Sequence, residues 1–389
     1  MSIYLDNSAT TKICKEALEK YISVSQNEFG NPSSLHGMGL NAEKEIDSAR
    51  LEIRNSIKSR DAEIIFTSSG SEANNLAIIG RALSKERYKK GAKIITTDSE
   101  HASVSSPISK LAEMGFKIAR IPTKMGAVDI GALEKEMTPD VILVTVMMVN
   151  NETGALYDIS SISQIMRAYS PDAYLHVDAT QSYLKIPFTA KSLGADMITI
   201  SSHKIEGPKG VGALIVAPSV IKARGLSPII FGGGQEKGLR SGTENVPGIA
   251  AFAEAVKVGF PLIEAHASHT EALRSYLIDK ITNDDILSSI SITNPKSHAP
   301  HIINVTLPSI KSETMLHYLS SLGIYVSSGS ACSSNSNTIS SALTAFGRSA
   351  QEADSSIRIS FSHRNDFSDV DALADALKSG ISRLARIRK

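Results

Sequence analysis

The sequence predicts an α/β protein in which a parallel sheet is covered by helices. Over residues 1–260, apolar strand-like runs alternate with segments of helical periodicity, which is the pattern of this fold class. The runs are apolar almost throughout, as expected for parallel strands that are buried on both faces. The candidate strands are EIIFT (63–67), KIITT (93–97), VILVTVMMV (141–149), AYLHV (173–177), MITIS (197–201) and GALIV (212–216).

Two segments outside these strands have helical signatures. Residues 71–91 carry an early acidic residue and end in glycine, which are typical start and stop signals of a helix. The other segment precedes the first of these strands and has apolar residues at the spacing of one helix face. These residues are Ala42, Ile46, Ala49, Ile53 and Ile57.

The pattern changes near residue 262, where a second domain is expected to begin. Beyond it we predict a helix over 266–281, strands at HIINVTL and SIRISF, and a helix that leads to the basic end RLARIRK. The basic residues at this end either contact a partner or only stabilise the C-terminus of the helix through its dipole. We expect a large domain over 16–261 and a smaller α+β domain over 262–389 that carries Cys332. The N-terminal segment 1–15 is expected to join the smaller domain.

Charge and composition argue against several classes of function. The chain has 41 Lys and Arg residues against 40 Asp and Glu residues, a net charge of +1. No overall field therefore favours nucleic acid or an anionic membrane as a partner. The N-terminus MSIYLDNSATTK has no secretory signal, and no apolar run reaches the ~18 residues of a membrane span. We expect a cytoplasmic protein without membrane or nucleic-acid contacts.

Polar residues follow three of the candidate strands, where ligands bind in open parallel sheets. Gly70 and Ser71 open a helix and fit a phosphate site, although such residues are also routine at helix N-caps. Asp178 ends a buried strand, so its carboxylate needs a cationic or hydrogen-bonding partner. His203 and Lys204 follow the third strand. A desolvated lysine is a usable amine nucleophile, and the alternative is a loop lysine that points at water.

These three strand ends together match the needs of pyridoxal 5′-phosphate. That cofactor requires a phosphate seat, a partner for its pyridinium nitrogen and a lysine amine. The nucleotide motifs G-x-x-x-x-G-K-[ST] and G-x-G-x-x-G do not occur in the sequence. Histidine pairs spaced by three residues, at 266/269 and 298/301, lack further ligands nearby, so we predict no metal site.

Cys332 lies in the stretch SSGSACSSNSN (327–337), among small polar residues that offer no apolar pocket for a thiol. One interpretation is an incidental loop residue, since cysteine is more often a small buried hydrophobe than a nucleophile. The other is a reactive thiol on a flexible tether. The only other cysteine, Cys14, lies in an amphipathic segment and is expected to pack in the core. Two cysteines so far apart predict neither a disulfide framework nor a metal motif.

A series of motifs resembles, in order, those of cysteine desulfurases of the NifS/IscS type, a branch of the class V aminotransferase-like enzymes. The resemblance covers nearly the whole chain, and the SGSAC loop distinguishes the desulfurases from other pyridoxal-phosphate enzymes. It implies the fold-type I architecture, with a mostly parallel seven-stranded sheet in the large domain. The motifs are YLDNSATT, GNPSSLHGMG, FTSSGSEANN, EHASV, VNNETG, HVDATQS, SSHKIEGPKGVGAL, RSGTENV and SSGSACSS.

The resemblance implies a role for each residue that matches a motif. Lys204 resembles the lysine that is bonded to the cofactor, and Asp178 the partner of the pyridinium nitrogen. His101 resembles the residue that stacks on the ring and moves protons. Arg358 resembles the residue that binds the substrate carboxylate, and Cys332 the residue that receives sulfur. Also implied are Gln181 for the phenolic oxygen, Gly70, Ser71, Ser201 and His203 for the phosphate, Thr243 for the phosphate of the neighbouring subunit's cofactor, and Asn31 and Asn151 near substrate and cofactor.

The resemblance implies a homodimer that converts L-cysteine to L-alanine and holds the sulfur as a persulfide on Cys332. The sulfur would then pass to an acceptor protein, either an iron–sulfur cluster scaffold or a tRNA-thiolation protein. One alternative is a selenocysteine lyase or another class V enzyme in which Cys332 is incidental. Another is a non-catalytic scaffold of the same fold, although the presence together of Lys204, Asp178, His101 and Cys332 argues against it.

Overall fold

A computed structural model describes residues 2–84, 92–328 and 340–384 of the chain. The helices of these residues are α1 (Lys15–Asn27), α2 (Gly37–Ser56), α3 (Gly70–Ala82), α4 (Ala102–Glu113), α5 (Ile130–Glu136), α6 (Ile159–Tyr169), α7 (Ala190–Leu193), α8 (Pro218–Lys222), α9 (Val246–Gly259), α10 (Ile263–Thr282), α11 (Ser312–Ser321), α12 (Ser341–Phe346), α13 (Ala350–Asp354) and α14 (Phe367–Leu384). The predicted helix end at Gly91 lies outside the described residues.

The strands of the same residues are β1 (Ile3–Tyr4), β2 (Glu63–Thr67), β3 (Lys93–Thr97), β4 (Lys117–Ile121), β5 (Thr123–Lys124), β6 (Ala127–Val128), β7 (Val141–Met147), β8 (Tyr174–Asp178), β9 (Met197–Ser201), β10 (Gly212–Val216), β11 (Ser291–Thr293), β12 (Ile302–Thr306), β13 (Ile324–Tyr325), β14 (Ser327–Ser328) and β15 (Ser356–Ser360). All six predicted strands of the large domain are present. The predicted strand 141–149 ends at Met147, because the chain turns at Asn150, whose side-chain Oδ1 accepts hydrogen bonds from two following backbone N–H groups.

A seven-stranded sheet in the order β2-β10-β9-β8-β7-β3-β4 forms the centre of the large domain. Only β10 runs antiparallel to its neighbours, β2 and β9. The seventh strand, β4, was not predicted, because as an edge strand it has exposed polar residues and lacks a continuous apolar run. The predicted α/β class with a mostly parallel seven-stranded sheet is confirmed.

Alternate side chains of the sheet enter two separate hydrophobic cores. On β2, for example, Ile64 and Phe66 pack into one buried cluster and Ile65 into the other. This alternation follows from the geometry of a strand, whose successive side chains point to opposite faces. Helices α1 and α2 each pack against α9 around the first cluster, while α3 and α4 lie over the second.

A second, four-stranded antiparallel sheet has the order β11-β12-β15-β14 and belongs to the C-terminal part of the chain. Its buried cluster joins Leu5 to apolar residues from Leu273 to Ile381. The N-terminal segment also pairs with this part, since β1 lies parallel to β13. The domain bounds at 15/16 and 261/262 stay a prediction.

The stretch Val246–Thr282, which contains α9 and α10, is long and apolar enough for a membrane span by composition. However, 56% of its most apolar window is buried inside the fold. Burial of this kind is what a core helix requires, because an all-round apolar helix must be covered by protein or lipid.

Candidate active site

The carboxyl ends of β7, β8 and β9 meet the start of α3 at a cavity of about 300 Å³. This position is the one at which open α/β sheets bind ligands. Ten residues predicted for the site line the cavity together, although they come from distant parts of the chain. They are Gly70, Ser71, His101, Asn151, Asp178, Gln181, Ser201, His203, Lys204 and Arg358.

Asp178 is held at the end of β8 by hydrogen bonds to both carboxylate oxygens. Asn74 donates from Nδ2 to Oδ2 over 2.8 Å, and the backbone N–H of Thr180 donates to Oδ1 over 2.9 Å. The carboxylate is buried, so these donors offset part of the cost of taking it out of water. A fixed carboxylate at this position suits a cationic ring nitrogen.

A continuous chain of hydrogen bonds links Asp178 to His101. The Asn74 amide also donates to the Ser103 hydroxyl over 2.8 Å, and that hydroxyl lies 2.8 Å from Nδ1 of His101. The backbone N–H of Ser103 donates to the same Nδ1, which therefore acts as an acceptor. In a neutral His101 the proton consequently sits on Nε2.

Lys204 lies in a single 3₁₀ turn directly after β9. Its amine donates to the backbone carbonyls of Ser8 and Ala9 over 2.5 and 2.8 Å. Gln181 donates to the Ser8 carbonyl as well, over 2.9 Å. The N-terminal segment thus orients two side chains of the cavity, a contact between distant segments that no local sequence pattern predicts.

Two groups beside Lys204, the buried Gln181 and the half-buried His203, are available to a ligand. Among the described residues, Oε1 of Gln181 has no hydrogen-bond donor, although it is buried. His203 lies 3.1 Å from the Thr10 hydroxyl through Nδ1. Burial lowers the pKa of His203 to about 4, and the nearby Lys204 and Lys209 add to this shift, so its ring is neutral at physiological pH.

The start of α3 forms a small cradle that suits a phosphate. Ser69 caps the helix by accepting the backbone N–H of Glu72, and the N–H groups of the first turn face outward from the helix end. A Cβ added at Gly70 would lie only 3.2 Å from both Cβ of Ser201 and the hydroxyl of Thr180. Because glycine has no side chain, the backbone at Gly70 can lie close to the hydroxyl side chains of Ser201 and Thr180.

Arg358 is buried at 3% exposure on β15, and its guanidinium is held from two sides. It donates to the Asn151 carbonyl over 3.0 Å and forms a 2.9 Å ion pair with Asp6. Its Nε has no partner among the described residues. A guanidinium in this state can donate a further hydrogen bond to a carboxylate.

Two glutamates next in sequence to cavity residues were not predicted: Glu100, which is buried, and Glu152, which is half-buried. Burial raises the pKa of Glu100 to about 8, although hydrogen bonds from Thr97 and Met147 oppose the shift. Burial also raises the pKa of Glu152, which accepts a hydrogen bond from Ser340 at the N-cap of α12. Both glutamates lie within motifs that indicated this region, EHASV and VNNETG. They were missed because the degree to which a carboxyl is buried depends on the tertiary structure.

These observations fit pyridoxal 5′-phosphate. The cavity offers a fixed carboxylate for the ring nitrogen, a lysine amine, a histidine with a defined tautomer and a helix start with hydroxyl groups for the phosphate. The unpartnered Oε1 of Gln181 and the close approach at Gly70 are both explained by a ligand in this space. The holding residues would be Asp178, Gln181, Ser201 and His203, together with Lys204.

Three predicted residues are not among those that line the cavity. Asn31 is exposed, and Thr243 lines a separate cavity of about 190 Å³ with Arg240. Cys332 lies outside the described residues. Conversely, Asn74, Ser103 and Asp6 were missed, although each lies within or beside a quoted motif, because only the fold brings them to their partners.

Comparisons with known proteins agree with this site. The class-V aminotransferase family matches residues 3–373. The chain belongs to this family. It is 39% identical over 382 residues to cysteine desulfurase IscS 1 of Archaeoglobus fulgidus, covering 98% of this chain and 97% of that protein. It is 40% identical over 389 residues to cysteine desulfurase IscS of Buchnera aphidicola, covering 98% and 93%.

Solved structures of the family share the fold of this class-V aminotransferase-like chain. A NifS-like protein superposes with a TM-score of 0.90 at 34% identity, covering 98% of this chain and 100% of that one. A structure described as SspA in complex with cysteine superposes with a TM-score of 0.80 at 32% identity, covering 92% and 99%. The resemblance to cysteine desulfurases, the fold type and the pyridoxal-phosphate cofactor are thereby confirmed. The roles of individual residues stay predictions.

Proposed function

We propose that the chain is a pyridoxal-phosphate-dependent cysteine desulfurase that converts L-cysteine to L-alanine and holds the sulfur as a persulfide on Cys332. The observation that carries the proposal is the convergence of Lys204, Asp178, His101 and Arg358 on one cavity. The full-length similarity to named cysteine desulfurases supports the same substrate.

Substrate binding depends on Arg358 in this proposal. Its buried guanidinium keeps an Nε without a described partner, and a planar fork of donors suits a carboxylate. The Asn151 carbonyl and the Asp6 carboxylate fix the orientation of the fork. The α-carboxylate of L-cysteine would be bound there, at the edge of the cavity.

When bound, pyridoxal phosphate supplies an electron sink that weakens the bonds around the substrate Cα. The Lys204 amine takes the Cα proton and later returns a proton to the carbon skeleton. His101, protonated on Nε2 when neutral, donates or accepts protons beside the reacting atoms. Asp178, fixed by Asn74 and Thr180, keeps the ring nitrogen of the cofactor charged.

The sulfur step transfers the substrate sulfur from Cβ to the Cys332 thiolate. The Cys332 thiolate forms a bond to the substrate sulfur while the bond between that sulfur and Cβ breaks. The electron pair of the broken bond stays on the carbon skeleton, which takes up protons and leaves as L-alanine. The enzyme retains a persulfide, so no outside oxidant is required.

The test measures alanine released from L-cysteine, with dithiothreitol present, by wild type and by Cys332→Ala that still binds pyridoxal phosphate. Cys14→Ala is the matched control, because Cys14 is buried in the core. We expect alanine from wild type and the control only. Equal alanine from Cys332→Ala would contradict the mechanism. Activity of Cys332→Ala toward selenocysteine alone would distinguish a lyase function that does not need this thiol.

A homodimer with shared sites forms part of the proposal. Thr243 lies away from the cavity of its own subunit, and large apolar side chains such as Leu35 (98% exposed) and Phe231 (81% exposed) are uncovered in the single chain. Exposed apolar groups of this size indicate a contact surface when they cluster. The resemblance places Thr243 at the phosphate of the neighbouring subunit's cofactor.

Subunit mixing tests this arrangement. Lys204→Ala and Thr243→Ala dimers are each expected to have low activity, whereas unfolded and refolded mixtures should regain activity. In a mixed dimer, one site combines an intact Lys204 with the Thr243 of the other subunit. Failure of the mixture to regain activity, with dimers confirmed by light scattering, would show that Thr243 does not act across the interface.

A cytoplasmic acceptor protein for the sulfur completes the proposal. A persulfide is useful only when an acceptor takes its sulfur, and the acceptor is either an iron–sulfur cluster scaffold or a tRNA-thiolation protein. Enzyme loaded with radioactive sulfur from L-cysteine should transfer the label to the true acceptor, and the Cys332→Ala variant should not.

A further inference from the structure

A second cavity of about 400 Å³ lies beside the active site, on another side of Lys204. The segment around Cys14, the junction of α9 and α10, and the residues that follow β15 form its walls. This volume is in the range of small-molecule sites. Much of the lining is apolar, and the residues involved are Leu184, Ala255, Val258, Leu262 and Phe361.

Lys185 places a buried amine in this wall. Its Nζ is inaccessible to solvent and has no hydrogen-bond partner among the described residues. A buried ammonium without a partner is costly, so a ligand that accepts its hydrogen bonds would be stabilising. Burial, followed by the charges of Lys204 and Arg358, lowers the pKa of Lys185 to about 7, although Glu206 opposes the shift.

The other charged groups of the cavity leave Lys185 unneutralised. Glu206 accepts two hydrogen bonds from Arg364, at 3.2 and 2.7 Å, and lies 3.4 Å from His363. His363 stacks on His266 with ring centroids 4.1 Å apart, and burial lowers the pKa of both rings. Glu206, the carboxylate whose charge acts on Lys185, is therefore engaged by Arg364.

His301 adds a second buried polar group to the same wall. It is 2% exposed, and neither ring nitrogen makes a hydrogen bond of ordinary geometry within the described residues, although the backbone of Gln181 is close. Burial, followed by the charge of Lys185, keeps its pKa well below the ordinary value. A neutral imidazole can donate one hydrogen bond into the cavity.

We propose that this cavity binds a small monocarboxylate with an apolar body, whose carboxylate accepts hydrogen bonds from Lys185 and His301. The apolar wall and the buried cation select against a neutral alcohol, an amine and a strongly polar anion of the same size. The site is separate from the cofactor cavity, because Lys185, His301 and Val258 line only the second one.

The test uses hexanoate as the probe, with hexanol and hexylamine as matched neutral and cationic controls. Binding to the pyridoxal-phosphate-loaded enzyme is measured at neutral pH by saturation-transfer NMR and calorimetry. We expect hexanoate to bind at least about tenfold more tightly than either control, the ratio that ~1.4 kcal/mol provides. Equal binding of hexanol would overturn the proposal.

Two variants locate the binding. Lys185→Met removes the charge but keeps the length of the side chain, and it should reduce hexanoate affinity by at least about tenfold while leaving hexanol binding unchanged. Val258→Trp fills the cavity from its apolar wall and should abolish binding of hexanoate. Thermal unfolding and the cofactor absorbance band verify that both variants are folded. Hexanoate binding that survives Val258→Trp would place it elsewhere, for example at Arg358, and would refute the site.

Discussion

The guanidinium of Arg358 and the carboxylate of Asp6 form a 2.9 Å ion pair that joins the N-terminal segment to the central strand β15. The side chains are 3% and 18% exposed, so water screens this pair poorly. Asp6 therefore holds in place the group that we expect to bind the substrate carboxylate.

Asp6→Asn should raise KM for L-cysteine by about tenfold and lower the free energy of unfolding by about 3 kcal/mol, because it leaves a buried guanidinium without its counter-charge. Steady-state kinetics and urea unfolding measure the two effects. Glu19→Gln is the control, since it breaks the exposed Lys15–Glu19 pair and should change neither quantity measurably. An unchanged KM in Asp6→Asn would show that the ion pair does not position Arg358.

Asn74→Ala should weaken pyridoxal-phosphate binding by about tenfold, because Asp178 loses a charge-assisted hydrogen bond worth about 1.5 kcal/mol or more. The same change cuts the link from Asp178 to Ser103 and His101. Asn75→Ala is the matched control, since that amide donates to the Ser71 carbonyl on an exposed side. Equilibrium titration of apoenzyme with cofactor gives both constants. Equal losses in the two variants would disprove a specific role for Asn74.

Gly70→Ala should also weaken cofactor binding, because the added methyl group would crowd the neighbouring side chains. The new Cβ would lie 3.2 Å from Ser201 Cβ and from the Thr180 hydroxyl, tighter than ordinary contact. Gly37→Ala at the start of α2 is the control, because an added Cβ there meets no atom within 4 Å. Fluorescence titration with pyridoxal phosphate distinguishes them. We expect a loss of about 1–3 kcal/mol for Gly70→Ala only.

Glu100 should make folding stability decrease as pH rises. Its pKa is raised to about 8 from an ordinary value of 4.5, so between these values the folded state binds the proton that the unfolded state has lost. The unfolded state then holds fewer protons, and the free energy of unfolding falls with increasing pH across this window.

Glu100→Gln should remove this slope, because the amide resembles the protonated acid and keeps an acceptor for Thr97 and Met147. Urea unfolding at intervals from pH 5 to 8 measures the slope in wild type and variant, within the range set by that pKa. Glu113→Gln on the exposed side of α4 is the control and should retain the wild-type slope. A slope that persists in Glu100→Gln would assign it to other groups.

The strands and most of the cofactor cavity could be predicted from the sequence because their signals are local. Buried parallel strands are continuously apolar, and the polar residues that end them, such as Asp178 and Lys204, lie at one sheet edge by topology alone. Edge strand β4 was not predicted, because its partly exposed position admits polar residues that interrupt the apolar run.

Short motifs and the alternation of side chains along a strand were enough to predict the α/β class, the family and ten residues that share one cavity. The folded chain was needed to show that Asp6 pairs with Arg358 and that Asn74 joins Asp178 to His101. It was also needed to show that Nζ of Lys185 is buried with no hydrogen-bond partner among the described residues. The physical reason is that ion pairing, hydrogen-bond networks and desolvation depend on which distant segments meet, and no local pattern encodes that meeting.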